Sequence, residues 1–107
     1  TGGLGLGFNG GELLLLAIGG CYNNDVFREA DKRGIAVKNV RVTVSAEWAG
    51  DPVRAQNVTF AVEVEADATE AEISDLIRHT DRVAEIPNSL RLGTAVKLAS
   101  FKAIASR

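Results

Sequence analysis

A single α+β domain is the fold class this sequence predicts, and three observations carry the prediction. Residues 12–33 read as one long helix, residues 37–48 and 58–66 alternate between apolar and polar side chains, and the segment after Thr69 carries a helical apolar stripe. The 107 residues suffice for one hydrophobic core and not for two, so one domain spanning residues 1–107 is expected.

Eight of the eleven glycines fall within the first twenty residues, so the chain is expected to open as a glycine-rich loop. Gly5, Gly7 and Gly10 match the Gly-x-Gly-x-x-Gly spacing of dinucleotide loops. No strand precedes them, no βαβ unit follows, and Glu12 puts negative charge where a phosphate would sit. No cofactor is therefore expected. Leu13-Leu14-Leu15-Leu16-Ala17-Ile18 is apolar on every side, as in a helix covered all round, and far too short to cross a bilayer. The helix turns amphipathic through Tyr22, Val26, Phe27 and Ala30, and Gly34 stops it just after Lys32 and Arg33, whose charges suit a helix C-terminus.

In the first strand Val40, Val42, Val44, Ala46 and Trp48 share one face; Arg41, Thr43, Ser45 and Glu47 share the other. Gly50-Asp51-Pro52 reads as a turn, and Val58, Phe60, Val62, Val64 and Ala66 form the inward face of a second strand, antiparallel to the first. Thr69 with Glu72 forms a capping box, opening a second helix with Ile73, Leu76, Ile77, Thr80 and Val83 or Ala84 on one stripe. Pro87 closes that helix, and residues 94–104 read as a last strand. Three strands with one apolar face each cannot cover the apolar helix on all sides, so a homodimer is expected to supply the rest.

Twelve Lys and Arg against fourteen Asp and Glu give a net charge of −2 without a basic run, which argues against nucleic acid and anionic membranes as partners. Cys21 is the only cysteine, which rules out an intrachain disulfide; with no basic flank before the apolar run, a cytoplasmic protein is expected. Methionine is absent, so residues ahead of Thr1 are expected. Gly19-Gly20 inside a helix costs about 1 kcal/mol per glycine unless close packing or a kink compensates. Cys21 beside the pair is either a small buried hydrophobe or a thiol held at a shaped contact. His79, the single histidine, reads as part of a solvated face with Asp75 one turn earlier, and no metal-ligand cluster is visible.

The segment Gly10-Gly11-Glu12-Leu13-Leu14-Leu15-Leu16-Ala17-Ile18-Gly19-Gly20-Cys21, followed by Ala30-Asp31-Lys32-Arg33-Gly34-Ile35, resembles the OsmC/Ohr family. The order of strands and second helix, and the Ile86-Pro87-Asn88-Ser89-Leu90 turn, agree with it. The resemblance implies an OsmC-like fold: a long buried central helix and a second helix on an antiparallel sheet, in an intertwined homodimer with its central helices packed together. It also implies a peroxidatic thiol at Cys21 that attacks an organic hydroperoxide, in oxidative-stress defence. The family's catalytic glutamate corresponds to Glu12 with a displacement of one residue. Its resolving cysteine corresponds to Ile86 or Ala84, neither a thiol. Its first strands and activating arginine would precede Thr1.

Two functions follow. One is a one-cysteine, thiol-dependent hydroperoxide reductase with Cys21 as nucleophile and an external thiol as reductant. The alternative is a non-catalytic OsmC-like homodimer that binds a small apolar ligand or acts as a scaffold.

Overall fold

The structure, a computed structural model, describes residues 9–106. The glycine-rich opening lies outside the described residues, as does the Gly5 and Gly7 part of the dinucleotide-like spacing. Helix α1 (Gly10–Lys32) begins two residues before the expected start. The Asn9 side chain accepts from the Glu12 amide at 2.9 Å, and Glu12 Oε1 accepts from the Asn9 amide at 3.0 Å, a reciprocal capping box. At the other end Gly34 takes φ +68°, its amide donating to Asp31 O and that of Ile35 to Ala30 O. These two bonds form a Schellman stop at the glycine the sequence marked.

Strands β1 (Ala36–Ala49) and β2 (Arg54–Asp67) form a two-stranded antiparallel sheet. Val40 pairs with Val64, Val42 with Val62 and Val44 with Phe60, so the alternating apolar sets meet on one face. Two bulges adjust that face. Lys38 is the extra residue at one end, which lets Val37 and Val40 both turn inward. At the other end Asn57 and Val58 oppose Ala46, with Asn57 at φ +49°. The added residue reverses the alternation, so Ala55, opposite Trp48, turns inward and Val58 is left 38% exposed. Trp48 is not core either. Its indole lies over the first turn of α1, where a Cβ on Gly11 would come within 2.8 Å of the ring.

Helix α2 (Glu70–Val83) starts at the Thr69–Glu72 capping box read from the sequence. It buries Leu76 and Thr80, whose hydroxyl donates to Leu76 O at 2.8 Å. Pro87 does not close a helix but lies inside a further one, α3 (Glu85–Leu92). Proline is tolerated there because the first-turn amides of a helix have no intrahelical acceptor. No strand forms over 94–104. Residues 95–106 run without regular structure and leave Val96, Leu98, Phe101 and Ile104 between 78% and 95% exposed. An alternating sequence becomes a strand only with a hydrogen-bonding neighbour, and among the described residues this segment has none. The radius of gyration is accordingly 18.1 Å, against about 13 Å for a compact chain of this length.

The core is Tyr22, Val26 and Ala30 of α1 with Leu76 and Ala84, lying on the inward valines of the sheet and Phe60. Tyr22 and Phe60 meet with ring centroids 5.0 Å apart, and the Tyr22 hydroxyl donates to Ile77 O at 2.8 Å. Burial, reinforced by Asp81, pushes the Tyr22 phenol up to about 12. The unfolded phenol ionises near 10, so this group leaves stability unchanged below pH 10 and lowers it as pH rises toward 12. Tyr22 is the only tyrosine. Phenolate absorbance should rise with a midpoint near 12 in the folded chain and near 10 in denaturant, and a native midpoint near 10 would place Tyr22 in solvent.

The first half of α1 is not covered all round within one chain. Leu13 and Leu16 are each 53% exposed, because strands and helices pack on one side only.

Candidate active site

Positions 14, 18, 21 and 25 fall within about 60° of one another on an α-helix, so Leu14, Ile18, Cys21 and Asp25 share a face of α1. Cys21 is partly exposed. Its Sγ donates to Asp25 Oδ2 at 3.6 Å, and Asp25 Oδ1 is held by Arg28 Nη1 at 2.9 Å. Asp25 is only 3% exposed, a carboxylate on the packed face of the helix. Gly19 does provide close packing: a Cβ there would lie 3.2 Å from Val44 Cγ2, and this brings α1 down onto β1 one half-turn before the thiol. Gly20 faces open space.

The ionic chain continues past Asp25. Arg28 Nε and Lys32 Nζ each donate to Glu29 Oε2 at 3.2 Å, and His79 Nε2 lies 2.9 Å from Glu29 Oε1. His79 is thus not on a solvated face with Asp75. It reaches across to the buried carboxylate of α1, while Asp75 pairs with Arg33 at 2.6 Å. The hydrogen bond from Lys32, followed by those from Arg28 and His79, holds the Glu29 carboxyl at about 2 despite its burial. A depressed carboxyl contributes stability above its unfolded value near 4.5, and that contribution is lost as pH falls toward 2. Glu29→Gln should flatten the fall in urea midpoint between pH 4.5 and 2; an unchanged acid limb would show that Glu29 does not govern it.

Beside the thiol face, Leu14, Ile18, Ala55, Phe60, Pro87 and Leu90 line a cavity of about 310 Å³ between α1, β2 and α3, with Val58 and Arg91 at its wall. Ile18 stands one turn before Cys21 and is its neighbour on the helix surface. Glu12 sits elsewhere. It is nine residues from Cys21, about 13 Å along the axis at ~1.5 Å per residue, and its carboxylate is engaged at the helix cap. Ala84, one of the two positions matched to a resolving cysteine, is fully buried; Ile86, the other, is 39% exposed. Among the described residues no group of three or more His, Cys, Asp or Glu side chains is placed to hold a metal ion, and no helix is long and apolar enough to cross a membrane.

The family model for OsmC-like proteins matches residues 2–99. The chain belongs to the OsmC-like family. Solved structures share the fold of this OsmC-like chain. An OsmC-like protein from Mycoplasma pneumoniae superposes with a TM-score of 0.74 at 18% identity, over 84% of this chain and 66% of that one. A proposed osmotic-stress-induced and detoxification-response protein from Psychrobacter arcticus gives 0.68 at 20% identity over 81% of this chain and 63% of its own. A Vibrio cholerae OsmC-like protein of unknown function gives 0.63 at 14% identity, over 73% and 55%. The OsmC-like chain thus spans between 55% and 66% of the length of these structures. No curated protein sequence matches it.

Asp25, Arg28 and the Glu29–His79 pair were not singled out by sequence reasoning. The available signal was two carboxylates, Asp25 and Glu29, four residues apart on the stripe that also carries Tyr22, Val26 and Ala30. Acidic side chains on an apolar stripe are held by partners or by function.

Proposed function

We propose that this OsmC-like chain is a one-cysteine hydroperoxide reductase acting on organic hydroperoxides in the cytoplasm, with Cys21 as the nucleophile. The observation that carries the proposal is the thiol one turn from an apolar cavity of about 310 Å³, a size in the range of small-ligand sites. The sulfur attacks the distal oxygen of the hydroperoxide, the O–O bond breaks, and Cys21 becomes a sulfenic acid while the peroxide leaves as an alcohol. With no second cysteine in the sequence, an external thiol condenses with the sulfenic acid to a mixed disulfide and water, and a second thiol releases Cys21 reduced. Glu12 would serve only from a position away from its own Cys21, such as across a subunit contact.

A homodimer is part of the proposal. Exposed Leu16 lines, with Leu15, Gly19, Asn23, Val42 and Val44, an open and mainly apolar groove of about 370 Å³, and Leu13 is exposed one turn earlier on the same helix, a face suited to the same helix of a second copy.

A second reading, a non-catalytic apolar-ligand carrier, is favoured by the cavity together with the missing second thiol. Trapping separates the two. Exposure to one equivalent of cumene hydroperoxide in the presence of dimedone should give one sulfenic acid adduct per chain in the wild type and none in Cys21→Ser. A wild type without adduct leaves the carrier reading.

A further inference from the structure

The buried carboxylate next to the thiol has no part in the scheme above. Asp25 lies on the packed face of α1 at 3% exposure, which is a costly place for a charge unless both of its oxygens are engaged. They are, in two different ways. Oδ1 takes a charged hydrogen bond from Arg28, which reaches back from a side chain 41% exposed, while Oδ2 accepts a hydrogen bond from the Cys21 sulfur at 3.6 Å. Arg28 is itself fixed from behind by Glu29, through Nε at 3.2 Å, and Glu29 is in turn tied to Lys32 and His79. The result is a nucleophile, an acceptor within reach of its proton, and a third group that orients the acceptor, which is the arrangement of an activated nucleophile.

We infer that Asp25 is the proton shuttle of Cys21, with Arg28 as the positioning residue that holds it. The inference rests on the reading of Cys21 as the nucleophile. As the sulfur attacks the distal oxygen, the S–H proton passes to Asp25 Oδ2; as the O–O bond breaks, the same proton passes to the alkoxide oxygen and the alcohol departs. The distal oxygen keeps its own hydrogen and becomes the sulfenic acid O–H, so no proton is taken from solvent. Sulfur is oxidised, the peroxide is reduced, and Asp25 ends as it began. Arg28 offsets the carboxylate charge, which would otherwise oppose negative charge developing on the neighbouring sulfur.

The test compares two reactions of one thiol. Both reactions need the thiol to lose its proton, but only oxidation by cumene hydroperoxide needs that proton delivered to the leaving oxygen, since alkylation by iodoacetamide expels iodide. Asp25→Asn, close in shape and unable to carry the proton, should slow the hydroperoxide reaction by about 100-fold, the scale of general acid–base catalysis, and slow alkylation by no more than about tenfold, the part that loss of the S–H acceptor alone accounts for. Asp25→Glu should restore about a tenth of the wild-type hydroperoxide rate. Equal loss in both reactions, or an Asp25→Asn rate equal to wild type, overturns the role of Asp25 alone. A wild-type hydroperoxide rate no faster than free cysteine overturns the enzyme reading and Asp25 with it. If Asp25→Asn does not fold, Asp25→Glu decides: it keeps the pair with Arg28, and a fall in the ratio of the two rates supports the shuttle, an unchanged ratio overturns it.

Discussion

Tyr22→Ala is expected to destabilise the chain by about 3–5 kcal/mol, the cost of removing a large buried aromatic side chain. The ring is fully buried, tilts against Phe60 at 5.0 Å and places its hydroxyl on Ile77 O, so one side chain joins α1, β2 and α2. Against the 5–15 kcal/mol by which domains are commonly stable, such a loss leaves a substantial unfolded fraction. Tyr22→Phe keeps the ring and removes the hydrogen bond, for about 1 kcal/mol. Urea unfolding followed by Trp48 fluorescence at one fixed protein concentration reads both. A cost for Tyr22→Ala no larger than for Tyr22→Phe would mean that the three elements are not joined through this ring.

Ala55→Phe should lower the rate of Cys21 oxidation by cumene hydroperoxide more than tenfold while leaving oxidation by hydrogen peroxide within about twofold. Ala55 faces the cavity because the Asn57 bulge turns it inward beside Phe60. A phenyl ring there occupies the space that an aryl hydroperoxide would fill, and loss of one well-placed apolar contact already costs about 1–3 kcal/mol, or 10- to 200-fold. Hydrogen peroxide has no apolar group to seat. Equal effects on both oxidants would show that the cavity does not hold the organic group.

Much of the fold was legible because local chemistry decided it. Gly34 ends α1 through a Schellman stop and Thr69 with Glu72 opens α2, both fixed by a few neighbouring residues. The paired valines of β1 and β2 follow from alternation alone. Asn9 and Glu12 carried an equally local signal, and it shows that Glu12 has a structural partner at the cap. What sequence could not show depended on tertiary context. The bulge at Asn57 decides that Ala55 rather than Val58 looks inward; Pro87 can start a helix as readily as it can end one; and residues 94–104 alternate without a strand to pair with. His79 found Glu29, fifty positions away in the chain, rather than its neighbour Asp75.

The candidate site divides in the same way. Cys21 stood out through the glycine pair and the family resemblance. Asp25 did not, because only the packing of α1 turns an ordinary acidic residue into a buried acceptor facing the thiol. The cavity, assembled from α1, β2 and α3, has no signature in any one segment.

The central claim is that Cys21 reacts as the nucleophile toward organic hydroperoxides. Stopped-flow measurement of thiol loss on mixing the reduced chain with cumene hydroperoxide at pH 7 tests it directly. The second-order rate constant should exceed that of free cysteine by at least about 100-fold, the scale that activation of a nucleophile by a positioned base supplies, and should vanish in Cys21→Ser. A wild-type rate constant equal to that of free cysteine would contradict it.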